Sequence, residues 1–488
     1  VPLFNDYRIG KGRYGMDGYE VLCPDCHSII QTDDWRSETN CTCGNEFIPS
    51  DGTVTGSNYT CHSCGQKYPI TRGVQDQGGF DLDIYAVEYH CTECDANGLE
   101  KSEVKGYKPA EEADYDLYNR ASEKWSQSDE LSAYVPDYDI QRGAITASSS
   151  INGNDVFEHG YNKWTDMYSD RQLLCFSKLL EAIDEVPNQN LKEYLLMAFS
   201  GSLRYNSMMI GYHASNNQIH DFFKSNSFVP PVVPAENNVW GGEYGTGTFK
   251  SMWKMVTRGI EWAGQPTERY IEDGEAKETD PFDTPVGENA NVFCDDIRNL
   301  EAEQEYDAVI TDPPYYDNII YSEVSDYFYV WQRSILKQEY DHFEPLHTPR
   351  KESIVANPAE GKGEQEFESE LKEAFSSINT ALKNNGVLTF TYHHNDSESW
   401  GELLQALCEV GFEVTATYPI SADIQKFNKN EAVAFDIVIV ARPFNDPRPI
   451  SWNSLRRRIH KTAAITRETL EENRDLSSGD IGVIEMGE

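Results

Sequence analysis

The sequence predicts an α/β protein in which a sheet at 291–445 follows a cysteine-knuckle region at 1–110 and a linker and helical region at 111–290; a C-terminal helical, acidic segment occupies 446–488. Three observations predict it. Eight of the eleven cysteines fall in close pairs before residue 95. Amphipathic helical patterns recur between Asp170 and Trp262. From Asn291 short apolar runs alternate with helical stretches, the pattern of strands and crossover helices in a parallel sheet.

The pairs are Cys23-x-x-Cys26, Cys41-x-Cys43, Cys61-x-x-Cys64 and Cys91-x-x-Cys94. A short gap lets a tight knuckle aim two thiolates at one ion, and two knuckles complete a tetrahedral structural site. Eight thiolates therefore predict two structural zinc ions rather than disulfides, since such pairs in a reducing compartment mean metal. Gly44 and Gly65, directly after their knuckles, supply the permissive backbone these turns need. Sequential pairing joins 23/26 to 41/43 and 61/64 to 91/94. Nested pairing joins 41/43 to 61/64, and it is favoured by a shared C-G-x-x-aromatic pattern ending at Phe47 and Tyr68. Basic residues around the knuckles are sparse (Lys11, Arg13, Arg36, Lys67 and Arg72), so a structural staple is favoured over a DNA-binding surface.

The chain of 488 residues carries 82 acidic against 41 basic residues, a net charge of −41. Acidity spread over a chain with 39% hydrophobic residues points to a high-salt cytoplasm, not to disorder. It does not exclude nucleic acid, because in molar salt the Debye length falls to about 3 Å and only local contacts count. Val1-Pro2-Leu3-Phe4 leads into polar sequence without a secretory signal. The run Ala432 to Ala441 is interrupted by Asp436 and is too short for a bilayer. A cytoplasmic protein with no membrane partner is expected.

Ser169-Asp170-Arg171-Gln172 reads as a capping box for a helix through Leu173, Phe176 and Leu180. A second helix is expected at about Asn190 to Met209, and a third through Trp253, Val256, Ile260 and Trp262. Beyond Asn291 the strands are Val292–Cys294, Asp307–Thr311, Val387–Tyr392, Glu413–Tyr418 and Phe435–Val440. Helices Glu366–Lys383 and Glu402–Val410 lie between them.

The strand Asp307–Thr311 runs into Asp312-Pro313-Pro314-Tyr315. Such a strand end lies at the rim where α/β sheets bind ligands, and two prolines hold the loop in one shape. A carboxylate, a fixed carbonyl and an aromatic face suit an exocyclic amine on a flat base. Tyr316, Asn318, Tyr321, Glu323, His393 and His394 fall close to the same rim and are candidates to shape a pocket.

These residues resemble motif IV of the amino-methyltransferases. The stretches DPPYYDNIIYSEVSDYFYVWQR (Asp312 to Arg333) and GVLTFTYHH (Gly386 to His394), with the cysteine pairs, resemble the prokaryotic adenine-specific DNA methylases that contain a zinc ribbon. The likeness covers most of the chain and is strongest at Cys23–Cys94 and Asn291–Pro443. It implies a Rossmann-like sheet that uses S-adenosylmethionine, a DNA substrate and an N6-methyladenine product. The five strands then match strands three to seven of that sheet. Asp296, rather than Asp295, is the acid that would accept from the cofactor's adenine amine. The glycine-rich turn after strand one is missing; Gly241 to Gly247 is the one candidate and follows a Pro-rich segment. The chain is therefore expected to be a piece of a longer protein or half of a split enzyme, with an N-terminal segment or partner chain supplying the turn. Two alternatives stand beside this: an RNA guanine-N2 methyltransferase, and a non-catalytic zinc-bearing DNA-binding or assembly subunit.

Overall fold

The computed structural model describes residues 1–488 except 13–17, 62, 101–102, 148–154, 224–225, 243, 315, 317–318, 393–396, 422–434, 445–449, 474–480, 482–483 and 485–488. The chain is mixed α/β with several small sheets. It divides into two units: Val1–Ala290 with Glu323–Thr348, and Asn291–Ser322 with Pro349–Glu488.

Unit 1 opens with the antiparallel sheet β1 (Arg8–Lys11), β2 (Tyr19–Leu22), β3 (Ile29–Thr32) and the short hairpin β4 (Thr39–Asn40), β5 (Glu46–Phe47). A second three-stranded sheet, β6 (Val54–Thr55), β7 (Asn58–Thr60), β8 (Lys67–Pro69), leads into α1 (Ile70–Gln77). Val54, Ile70 and Val74 form its small core. The pair β9 (Ala86–His90) and β10 (Lys105–Pro109) encloses α2 (Thr92–Ala96).

The helices follow: α3 (Glu112–Ser126), α4 (Asp170–Asp184), α5 (Gln189–Leu203), then the short pair β11 (Tyr212–His213), β12 (Gln218–Ile219), α6 (Phe249–Gly264) and the hairpin β13 (Arg269–Glu272), β14 (Glu275–Glu278). The capping box forms at α4: Gln172 N–H donates to Ser169 Oγ at 3.2 Å, and Ser169 N–H to Gln172 Oε1 at 3.0 Å. Helix α5 stops at Leu203, short of Met209, because Asn206 Nδ2 caps the Ser202 and Gly247 carbonyls at 2.7 Å each. Helix α7 (Tyr321–Leu336) belongs to unit 1 from Glu323 on. Its Trp331 is fully buried, with ring centroids 5.3 Å from Phe176 and 5.9 Å from Phe199, and its Nε1 donates to the Tyr168 hydroxyl at 3.0 Å. Trp331→Ala should therefore cost about 3–5 kcal/mol. Denaturant unfolding checks this, and a loss below about 1 kcal/mol would contradict the packing role.

Unit 2 holds a four-stranded sheet of β15 (Tyr306–Thr311), β16 (Leu382–Tyr392), β17 (Phe412–Ser421) and β18 (Phe435–Pro443), in the order β15-β16-β18-β17. Only β15 and β16 are parallel; β18 runs antiparallel to both neighbours. The expected parallel sheet is thus mixed, because β18 lies between β16 and β17 and runs antiparallel to both. Helices α8 (Glu364–Ala381) and α9 (Ser397–Glu409) cover one face. There Leu388, Phe390, Tyr392, Ile437, Ile439 and Ala441 are buried with Phe367, Phe375 and Leu403. Helix α10 (Trp452–Asn473) follows.

The expected strand at Val292–Cys294 is absent: the segment is irregular, with Val292 93% and Phe293 83% exposed. Apolar letters alone do not make a strand when no neighbour offers hydrogen bonds. The same lack shows on β15, which pairs among the described residues with β16 only. Ile310 on its uncovered face is 81% exposed, and Tyr418 of β17 is exposed on that face as well.

Candidate functional site

Two sites were legible in advance, one of thiols and one at the sheet rim. The thiol site is formed by Cys23, Cys26, Cys41 and Cys43, whose sulfurs all lie within 4.8 Å of one another. Cys23 Sγ is 3.8 Å from Cys43 Sγ, and Cys26 Sγ is 3.5 Å from Cys41 Sγ. A tetrahedral ion with about 2.3 Å bonds to sulfur requires edges of about 3.8 Å, so the thiols fit zinc. The pairing is sequential, which corrects the nested expectation. The shared C-G-x-x-aromatic letters report similar turns, not a shared ion.

Local backbone explains how the thiols converge. After the first knuckle His27 takes a left-handed conformation (φ 57°) and donates its N–H to the Cys23 carbonyl at 3.0 Å. Gly44 (φ 96°) does the same toward Cys41 at 2.9 Å. His27 is thus a turn residue that happens to bear an imidazole. Hydrogen bonds at Ser28, first through its side chain, hold the Cys26 thiol down at about 6. At Cys43 the Asn45 backbone pulls downward as well, but the neighbouring thiols, Cys41 foremost, push it up to about 12. Four sulfurs this close resist full ionisation until a cation joins them.

The second predicted site is not assembled. Among the described residues Cys61, Cys64, Cys91 and Cys94 form no four-thiol group. Cys61 and Cys64 make a knuckle with Gly65 (φ 68°), whose N–H reaches the Cys61 carbonyl at 2.7 Å. Cys91 instead caps α2, its sulfur accepting from Cys94 N–H at 3.2 Å. Asp95 follows Cys94 where the other knuckles carry His or Gly, and a helical turn forms in place of the left-handed one.

The rim site lies in unit 2. Asp312 follows the last residue of β15 and is exposed, Pro313 is buried and Pro314 partly so; Tyr315, Asn318, His393 and His394 lie outside the described residues. Thr391, at the end of the adjacent parallel strand, donates its hydroxyl to Asp312 Oδ1. Sequence reading missed Thr391; its signal was register, because Thr311 pairs with Phe390 and the next residues on both strands meet. Burial raises the Tyr321 phenol, and the Asp312 charge adds to this, so the two groups are neighbours.

Tyr316 takes φ 54°, packs edge-on against Phe367 at 5.3 Å and accepts from Ala356 N–H at 3.1 Å. A bulky side chain in the left-handed region is an outlier, and such strain gathers where a loop must hold one shape. Glu323 is buried in unit 1, where the N–H groups of Ala144 and Ile145 donate to its carboxylate at 2.8 and 2.9 Å.

Asp296 is held by Arg298. The guanidinium Nε lies 2.9 and 3.0 Å from its two oxygens, and the Arg298 N–H donates to Oδ1 at 2.9 Å. This clasp keeps the Asp296 carboxyl below its usual range. Arg298 in turn lies 3.6 Å from Glu370. The sequence signal was the spacing Asp-x-Arg, which favours a local ion pair as readily as a ligand contact. The Gly241 to Gly247 turn opens α6 in unit 1 and follows irregular chain instead of a strand. The described residues therefore offer no glycine cradle behind a strand. No described helix is long and apolar enough to cross a membrane. No protein-family model, curated protein or solved structure matches the chain.

Proposed function

We propose that unit 2 is the base-binding half of a Rossmann-like, S-adenosylmethionine-dependent methyltransferase that acts on adenine N6 in DNA. The observation that carries this reading is Asp312 at the carboxyl end of a parallel strand, its carboxylate engaged by Thr391, on a loop strained at Tyr316. Strand order supports it. Numbered as in a methyltransferase sheet, the four strands run four-five-seven-six with seven reversed, the arrangement expected of that sheet's carboxyl-terminal half. The uncovered edge of β15 and the exposed Val292 and Phe293 fall where strand one, two and three neighbours are wanting.

In this reading a target adenine leaves the stack, at a cost of a few kcal/mol, and its amine meets the loop. Asp312 and the Pro313 carbonyl accept from N6 and keep its lone pair localised as the nitrogen becomes tetrahedral. Thr391 orients the Asp312 carboxylate, and Tyr315 supplies the stacking face. Bound S-adenosylmethionine would supply the electrophilic methyl group; this chain's residues position the amine and exclude water. No covalent protein intermediate is needed.

The glycine-turn half comes from elsewhere. Alone, the chain offers the cofactor one carboxylate already clasped by Arg298, and one hydrogen bond contributes only about 1 kcal/mol. Micromolar binding needs about 8 kcal/mol. Calorimetry of S-adenosylmethionine with the isolated chain at multimolar salt should show nothing tighter than roughly millimolar. A micromolar constant would mean the cofactor site is complete here. The Asp296–Arg298 clasp also favours a second reading, a non-catalytic zinc-bearing subunit that keeps the fold.

Disruption of the coding sequence in its own cells tests the function directly. Loss of N6-methyladenine from one DNA motif supports the proposal. An unchanged DNA methylation map overturns it, and loss of N2-methylguanine from RNA would move the activity to that substrate.

A further inference from the structure

Helix α10 is a basic element in a strongly acidic protein. From Trp452 to Arg467 the sequence carries Arg456, Arg457, Arg458, Lys461 and Arg467 and no Asp or Glu, although acids outnumber bases two to one along the chain. Apart from Asp446, the acids of the C-terminal segment lie beyond this stretch, from Glu468 on, which refines its description as acidic. Elsewhere in unit 2 several cations are paired with acids: Arg298 with Asp296, Lys362 with Glu370 at 2.5 Å, Lys383 with Asp307 at 2.8 Å. Among the described residues Arg457, Arg458 and Lys461 have no such partner, and Arg456 reaches only His460 Nε2, at 3.3 Å. All four cations are exposed.

Helix stability does not explain the pattern. The macrodipole favours acids in the first turns and bases in the last, and α10 has the opposite order, with bases first and Glu468 later. At 3.6 residues per turn Arg457, Arg458 and Lys461, with the exposed Ile465 among them, lie opposite the stripe of Trp452, Leu455, Ile459, Ala463, Thr466 and Leu470, while Arg456 and Arg467 flank that stripe. Between Ile459 and Leu470 that stripe carries only Ala463 and Thr466, whereas a helix lying in a membrane surface needs bulky residues along its length. A polyanion with regularly spaced charges fits the basic side better.

We infer that α10 is a nucleic-acid backbone contact: its basic side lies along duplex phosphates and holds this otherwise acidic chain on DNA. At 22 residues the helix is about 33 Å long, enough to follow several phosphates or to enter a major groove about 12 Å wide. The dipole adds to the cations at its amino-terminal end. The inference stands on charge placement alone and does not require methyl transfer.

The test uses the full chain and a labelled random-sequence DNA duplex, with fluorescence anisotropy across a salt series in which circular dichroism shows the protein folded. An R457Q/R458Q/K461Q variant should bind at least tenfold more weakly. Its log affinity against log salt should flatten by about 2.7, as loss of three phosphate contacts requires. All three side chains are exposed, so the fold should be unchanged. Equal affinity and slope for variant and wild type, or no wild-type binding, overturns the inference. So does wild-type binding to phosphatidylserine vesicles in preference to duplex. An RNA duplex in parallel shows which backbone is held, and tighter RNA binding would reassign the ligand. None of these readings depends on catalysis, so failure here leaves the methyltransferase proposal to its own test.

Discussion

Asp312→Ala, in the complete methylating assembly, is expected to lower N6-methyladenine formation by about two to three orders of magnitude, or roughly 3–4 kcal/mol. The carboxylate is an acceptor for an amine whose hydrogens become more acidic as the methyl group transfers, so its contribution grows toward the transition state. Asp312 is exposed and follows β15, so its truncation removes no core contact. Circular dichroism should be unchanged, and DNA binding nearly so. Thr391→Val, which leaves the carboxylate but removes its hydroxyl donor, should cost less, about tenfold. Methylation assays with both variants decide the matter. Near-wild-type activity of Asp312→Ala would remove the residue from the mechanism.

Loss of the Cys23/Cys26/Cys41/Cys43 site should be comparably severe for stability. Protein purified without added metal is expected to carry at least one zinc per chain, and a Cys41→Ser/Cys43→Ser variant one fewer. The small sheets of this region bury little apolar surface, and metal binding at such sites provides apparent free energies of about 10–16 kcal/mol at neutral pH. Chelation should therefore unfold the first strands while the ring cluster around Trp331 persists. Because the ligands must lose protons, zinc is held above the pH at which the thiols ionise and released as pH falls. Metal analysis together with limited proteolysis checks this; an unchanged zinc content in the double variant would refute the assignment.

Where local chemistry decided the structure, the sequence was readable. Ser169 and Gln172 specify their own cap, and the alternating apolar residues of Val387–Tyr392 specify a half-buried strand. Knuckle formation was equally local, since Gly44 and Gly65 both take positive φ. Partner choice was not, because which knuckles share an ion depends on where the β2–β3 and β4–β5 hairpins carry them. Val292 and Phe293 show the converse failure, with strand-forming letters that find no neighbour. Asp296 was expected just past a strand that does not form, and Arg298 two residues on decides what the carboxylate touches. Thr391 could be seen only through the register of two parallel strands, which no single segment encodes.

The edge of β15 that no described residue pairs also bears on how the isolated chain behaves in solution. Such an edge presents free N–H and C=O groups to any second strand, and sheets usually guard it with lysine, proline or a bulge. Here the strand's one register irregularity is confined to Tyr306–Ala308 and its one charge, Asp307, is paired with Lys383 at 2.8 Å, while Ile310 beyond them stands exposed. Two copies can therefore approach edge to edge with apolar surface to bury. A net charge of −41 opposes this at low salt, but with a Debye length of about 3 Å in molar salt the repulsion no longer reaches across the gap. In molar salt, then, the edge of one six-residue strand bears on the colloidal stability of the chain alongside its total charge.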